Sequence, residues 1–258
     1  MTTKKIDALI RQIQRDSGGA FITGLGYIGD RLGIFRALAE HGPTDSGGLA
    51  GVSGLQERYL REWLRAMAAF GYVEHDAEAN TYYMSEEQRA VLADERSAFF
   101  GAGTFQFTLP SLLHTEEIVQ AFRDGGGVAY ERLHPDIPES IDRMHRAWFE
   151  HLLTGQWIPQ IPGLGERLDA GLRVLDVGCG LGRSTAAMAA AFPLSHFVGI
   201  DPHGPSIERA EALVRERRLD NIAFRAVALE QLADEERFDL VVAIDCVHDM
   251  NDPIGVLR

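Results

Sequence analysis

Apolar residues recur at three- and four-residue steps through Leu25, Ile28, Leu32, Phe35 and Leu38, a spacing that gathers them on one helical face. Gly42-Pro43 and Gly47-Gly48 interrupt the pattern. A second stripe, Leu55, Tyr59, Trp63, Met67 and Phe70, predicts another helix, and Ser53 with Gln56 has the spacing of a capping box at its start. Tyr72-Val73-Glu74 and Tyr82-Tyr83-Met84 flank the polar run Asp76 to Asn80, which predicts a hairpin. Helices followed by a hairpin over residues 1–95 make a winged-helix pattern.

Residues 96–165 read as helical and aromatic, with Phe99, Phe100, Phe105, Phe107, Trp148, Phe149 and Trp157. Gly125 to Gly127 and Pro135, Pro138, Pro159 and Pro162 punctuate them, as expected of a helical linker and substrate lid. Beyond Gly171 the texture changes. Short apolar runs at 173–177, 197–200, 222–227 and 238–244 alternate with helical patterns at 184–192 and 206–218. Strands separated by helices predict parallel βαβ units, so residues 166–258 are expected to form an α/β Rossmann-like, doubly wound sheet.

Composition fits a globular protein: 45% of the 258 residues are hydrophobic and 24% charged. The N-terminus lacks the apolar core of a secretory signal, and no apolar stretch reaches the roughly 18 residues of a membrane span, so a cytoplasmic location is expected. Cys179 and Cys246 are then expected to be free thiols. The formal net charge of −13 disfavours nucleic acid as a partner. That balance holds within the winged helix itself, where residues 1–95 carry 14 acids against 10 bases and Glu57 and Glu62 are interleaved with Arg58, Arg61 and Arg65. Homodimer formation or covering a pocket is the expected role of this region. No metal is expected either: of His134, His145 and His151, the last two are six apart, off the three- or four-residue step that shares a helix face.

The chemistry concentrates where the first strand of the sheet runs into Asp176-Val177-Gly178-Cys179-Gly180-Leu181-Gly182 and a helix begins. Glycines there let the backbone turn tightly and approach a ligand, with helix N-terminal amides nearby. A dinucleotide fingerprint needs glycine at 183, where this chain has Arg183. Asp176 suits a cationic amine better than a pyrophosphate.

Val174 to Gly182 resembles the first motif of the class I S-adenosylmethionine-dependent methyltransferases. Val198-Gly199-Ile200-Asp201-Pro202 is similar to their second motif, and Phe238 to Ala243 to their fourth-strand motif. The winged-helix front end is similar to the dimerisation domain of many small-molecule methyltransferases. The resemblance implies S-adenosyl-L-methionine as cofactor. Asp176 would meet its amino group, directly or through water, while Gly178, Cys179, Gly180 and Gly182 shape the loop around it. Asp201, next to Pro202, would accept the ribose hydroxyls, a role that suits a nicotinamide cofactor equally. Where the family often has an acid facing the adenine, this chain has Ala228, with Leu229 able to pack on the ring. Asp245 falls at the cofactor's methyl end, and His248 is the candidate base with Asp249 orienting it; the same pair also suits a helix cap.

The expected function is methyl transfer to a small-molecule acceptor. An NAD(P)-dependent oxidoreductase is disfavoured by Arg183 and Asp176, and a winged-helix transcriptional regulator with a cofactor-sensing domain is disfavoured by the charge count. The family's sheet has seven strands, so the resemblance implies a chain truncated after the fourth strand and possessing only the front part of the sheet. On that expectation Leu240 to Ile244 form an edge open to association.

Overall fold

The computed structural model describes residues 3–232, 237–250 and 252–256. The chain divides into two compact units, Met1–Met144 and His145–Arg258.

The first unit contains α1 (Thr3–Arg31), α2 (Ile34–His41), α3 (Ser46–Ser53), α4 (Glu57–Ala69), the hairpin β1 (Glu74–Asp76) and β2 (Thr81–Tyr83), then α5 (Glu86–Leu92), α6 (Gly103–Leu113) and α7 (Thr115–Asp124). A 3-10 turn (Tyr130–Arg132) leads to α8 (Asp136–Trp148), which crosses the boundary between the units. The hairpin pairs antiparallel, with Glu74 opposite Tyr83 and His75 opposite Tyr82. Phe35, Trp63 and Phe105 form the aromatic centre of the core: the Phe35 and Trp63 rings meet edge-on at 5.1 Å, and the Trp63 indole N–H donates to the Leu25 carbonyl at 2.8 Å.

Three local expectations need correction. The stripe from Leu25 to Leu38 is not one helix, because Gly33 takes a left-handed backbone (φ 66°) and separates α1 from α2, leaving Ile28 and Leu32 exposed. Ser53 and Gln56 form no capping box: Ser53 closes α3 by donating to the Leu49 carbonyl, while Gln56 caps α4 without its side chain. A capping box does form at Ser85 and Gln88. The buried face of α4 is Leu60, Trp63, Leu64 and Met67, and Tyr59 is 77% exposed because it lies one residue off that face.

Small residues on α1 permit the close packing. A Cβ on Gly29 would lie 2.5 Å from Trp63 Cζ2 and 2.8 Å from Phe35 Cε2, whereas one on Gly24 meets nothing within 4 Å. Overpacking costs about 1–3 kcal/mol and alanine gains up to about 1 kcal/mol over glycine in a helix. Gly29→Ala is therefore expected to lower stability and Gly24→Ala to raise it, opposite signs that urea denaturation of the two variants will read.

In the second unit α8 continues as a π-helical segment (Phe149–Trp157) into α9 (Ile158–Gln160), followed by α10 (Leu164–Ala170). Then come β3 (Arg173–Val177), α11 (Arg183–Ala191), β4 (His196–Ile200), α12 (Gly204–Arg217), β5 (Ile222–Arg225), a 3-10 turn (Leu229–Gln231), β6 (Leu240–Val242), a 3-10 turn (Val247–Asp249) and α13 (Pro253–Val256). The four strands run parallel in the order β5-β4-β3-β6. This is the α/β sheet read from the sequence. Alternation sorts its two faces: Val174 and Phe197 pack with Leu168, Met188 and Phe192, while Leu175, Val177, Val198 and Ile200 pack with Leu229, Phe238 and Met250 on the other.

The last two strands are shorter than expected. A tight turn, in which the Val227 N–H donates to the Arg225 carbonyl, ends β5, and the left-handed backbone of Asp245 (φ 55°) lies just past β6. Between β5 and β6 the described residues hold a 3-10 turn rather than an α-helix. No helix among the described residues is long and apolar enough to cross a membrane.

Candidate functional site

The site is built where β3 gives way to α11. Gly178, Gly180 and Gly182 all adopt left-handed backbone (φ 66°, 53° and 76°), a conformation that costs an L-residue roughly 1–2 kcal/mol. Their surroundings differ. A Cβ at Gly178 would strike Cys246 at 2.6 Å, and one at Gly182 would strike Phe224 at 2.5 Å and Ala210 at 2.7 Å. At Gly180 nothing lies within 4 Å. The loop is thus packed by protein at both ends and open at its middle.

Asp201, at the end of β4, secures that middle. Its Oδ2 accepts the Gly180 N–H at 3.0 Å and its Oδ1 accepts the His203 N–H at 2.9 Å, with Pro202 between. A carboxylate has about four acceptor directions, so two backbone bonds fix its orientation and leave capacity for further donors. The loop is also pinned to β4, since the Cys179 N–H donates to the Ile200 carbonyl at 3.1 Å.

Asp176 lies beneath the loop, only 1% exposed. Its Oδ2 accepts from the hydroxyls of Ser184 and Thr185, both at 2.7 Å, tying β3 to the first turn of α11. Burial pushes its carboxyl up to about 6; the two hydroxyl bonds pull the other way and the charge of Asp201 adds to the rise. Burial also raises the Cys179 thiol, as do Asp176 and Asp201, which suits a packing residue and not a thiolate nucleophile. Cys246 donates its thiol to the Val177 carbonyl at 3.0 Å and is pushed up to about 11, chiefly by burial.

The sequence-predicted residues Asp176, Gly178, Cys179, Gly180, Gly182, Asp201 and Pro202 are therefore contiguous. Leu229 opens the 3-10 turn after β5 and packs beside Leu175, Val177, Val198 and Ile200, while Ala228 precedes it. Past β6, Asp245, His248 and Asp249 form a separate polar cluster: His248 Nδ1 is 3.6 Å from Asp245 Oδ1 and its Nε2 is 3.4 Å from Asp249 Oδ1. The His248 side chain is 64% exposed.

Sequence reasoning missed Ser184, Thr185, Phe224 and His145. The two hydroxyls could have been found, since they follow the glycine loop in the first turn of the helix it opens. Phe224, which fills the space over Gly182 and Gly199, gives no local signal. His145, whose Nε2 is 3.1 Å from Asp245 Oδ2, is 100 residues away in the chain, so no local spacing signals the contact.

Residues 20–94 match the family described as an Rv2258c-like winged HTH domain, and residues 168–258 match the family described as a methyltransferase domain. A ubiquinone biosynthesis O-methyltransferase from Leptothrix cholodnii is 36% identical over 104 residues, which is 40% of this chain and 42% of that protein. The chain thus matches about two-fifths of that relative's length. Among solved structures, the mitomycin 7-O-methyltransferase MmcR aligns with 100% of this chain and 76% of its own at a TM-score of 0.74 and 21% identity. Human N-acetylserotonin methyltransferase, in complex with SAM, covers 96% of this chain and 73% of its own at a TM-score of 0.66 and 15% identity. The chain thus carries a region similar to a winged helix-turn-helix domain followed by one similar to a methyltransferase domain.

Proposed function

We propose that this protein transfers a methyl group from S-adenosyl-L-methionine to a small-molecule acceptor. The observation that carries the reading is Asp201, a carboxylate fixed by the Gly180 and His203 amides beside a glycine loop that is open only at Gly180. A ligand with a vicinal diol and a neighbouring cationic group suits these residues. Asp201 would hold the diol, the loop would shape the space around Gly180, and Asp176 would supply negative charge from below. Leu229, and Asp245 at the far end, would complete the contacts. A nicotinamide cofactor fits less well: Arg183 stands where its fingerprint needs glycine, and the buried Asp176 is unfavourable beneath a pyrophosphate.

When bound, the cofactor supplies an electrophilic methyl group. The protein aligns the acceptor with it, keeps water out and, for a hydroxyl acceptor, removes a proton. His248 is the proposed base and Asp249 its neighbour. Melting the protein with S-adenosylmethionine, S-adenosylhomocysteine, NAD and NADP in turn tests the reading. Ligand at 100 times its Kd stabilises by about 2.7 kcal/mol, so the first two are expected to raise the Tm by several degrees and the nicotinamides to leave it unchanged. The reverse pattern would replace this reading with an oxidoreductase.

The winged helix is proposed to mediate homodimerisation or to cover a pocket. Each α4 arginine is already paired: Arg58 with Glu62, Arg61 with Glu57, and Arg65 with Glu62. On α1, Ile6, Leu9, Ile10, Ile13 and Phe21 form an exposed apolar row. Binding to random duplex DNA is expected to be absent at micromolar protein. Micromolar affinity that falls steeply with salt would overturn this assignment in favour of a regulator.

A further inference from the structure

We infer that His145 is a positioning residue for His248, acting through Asp245. The inference rests on the proposed role of His248 as proton acceptor and adds a residue to it from a distant helix.

Asp245 is held in an unusual way. Three non-glycine residues have positive φ among those described. Asn80 lies in the β1–β2 turn and Arg218 caps α12, both ordinary places for it. Asp245 lies just past β6 at φ 55°, an arrangement that persists only where neighbours hold it. One such neighbour is His145, whose Nε2 is 3.1 Å from Asp245 Oδ2. The His145 ring is itself fixed, 12% exposed and packed against Trp148 at 4.9 Å and Phe149 at 5.6 Å between centroids.

With Oδ2 engaged by His145, Oδ1 of the same carboxylate is the oxygen that faces His248 Nδ1. This matters because His248 stands between two carboxylates, one toward each ring nitrogen. Whichever nitrogen keeps the proton decides which is free to accept another. Asp249 is 76% exposed, whereas Asp245 is anchored by a buried ring. A neutral His248 is therefore expected to keep its proton on Nδ1, toward Asp245, and to leave the Nε2 lone pair for the acceptor's proton. His145 Nε2, 3.1 Å from Oδ2, faces the other oxygen of the same carboxylate, so Asp245 stands between the two imidazoles. Among the described residues no three His, Cys, Asp or Glu side chains are placed to hold a metal ion.

The test is the tautomer of His248, read from its ring 15N shifts in the full chain at alkaline pH, where imidazoles are neutral. No cofactor or acceptor is required, so the result is independent of whether the methyl-transfer reading stands, which the ligand melts decide. Wild type is expected to show mostly the Nδ1–H form. His145→Ala is expected to shift His248 to mostly Nε2–H, and His145→Gln, which retains an N–H donor of similar reach, to restore Nδ1–H. If His145→Ala does not fold, Asp245→Gly serves in its place: glycine accepts the positive φ, removes the carboxylate and is expected to give the same shift to Nε2–H. A wild-type His248 already in the Nε2–H form, or a tautomer indifferent to both His145→Ala and Asp245→Gly, overturns the inference.

Discussion

Replacing Asp201 with alanine is expected to weaken S-adenosylhomocysteine binding by about 100- to 10,000-fold. On the proposed reading, Asp201 would make two charge-assisted hydrogen bonds to ribose hydroxyls, each worth about 1.5–3 kcal/mol, and every 1.4 kcal/mol is tenfold in affinity. A second loss compounds the first. The Gly180 N–H would surrender its 3.0 Å acceptor, so the open middle of the loop would lose the bond that orients it. Asp201→Asn separates the two effects, because its amide oxygen can still accept from one backbone amide while the carboxylate charge is gone. Calorimetry should place Asn between wild type and Ala. Unchanged affinity in a folded Asp201→Ala chain would remove Asp201 from the site.

The residues at stake in that experiment were visible in the sequence because their constraints are local. A glycine at 178, 180 or 182 answers a backbone demand made within a few residues, and Asp201 follows an apolar run that reads as a strand by itself. The parallel sheet was legible for the same reason: Val174 to Val177 and Phe197 to Ile200 are compact apolar runs flanked by helical segments. Errors arose where tertiary contacts chose among local options. Leu25 to Leu38 satisfies a helical period across Gly33, yet the chain breaks there, and periodicity does not register a left-handed hinge. Ser53 and Gln56 have the right spacing for a capping box, but Ser53 is still inside α3 when its hydroxyl finds the Leu49 carbonyl.

The site's supporting residues were hidden for a related reason. Nothing near Phe224 announces that its ring covers Gly182 and Gly199; only the pairing of β4 with β5, Gly199 beside Phe224, brings them together. His145 belongs to a helix laid down before the sheet begins, and its partner Asp245 comes after the last described strand. Local pattern reading assigns such a histidine to the surface. Contact across 100 residues gives it a role.

Asp176→Asn is expected to stabilise the fold at neutral pH while weakening the ligand. In the folded protein the buried carboxyl titrates at about 6 rather than its ordinary 3.8, chiefly through burial, against the opposing pull of Thr185 and Ser184. Because the folded state binds the proton more tightly, this group's contribution to stability is fully present below about 3.8 and is lost as pH rises through about 6. The difference corresponds to about 3 kcal/mol of stability that is present at low pH and lost by pH 7, where Asp176 is ionised. Asparagine offers an acceptor oxygen to the same two hydroxyls without the charge. The gap in unfolding free energy between Asp176→Asn and wild type should therefore widen in favour of the variant as pH rises from 4 to 7, an order-of-magnitude window set by the same linkage. Binding should move the other way. On the proposed reading a cationic amine would lie above the loop and favour the ionised carboxylate, so wild-type affinity for S-adenosylhomocysteine is expected to tighten as pH rises through about 6, and Asp176→Asn to lose that dependence. Urea melts and calorimetry across this range decide both halves. A variant less stable than wild type at pH 7, with an unchanged pH profile for binding, would show that Asp176 serves only to tie β3 to α11.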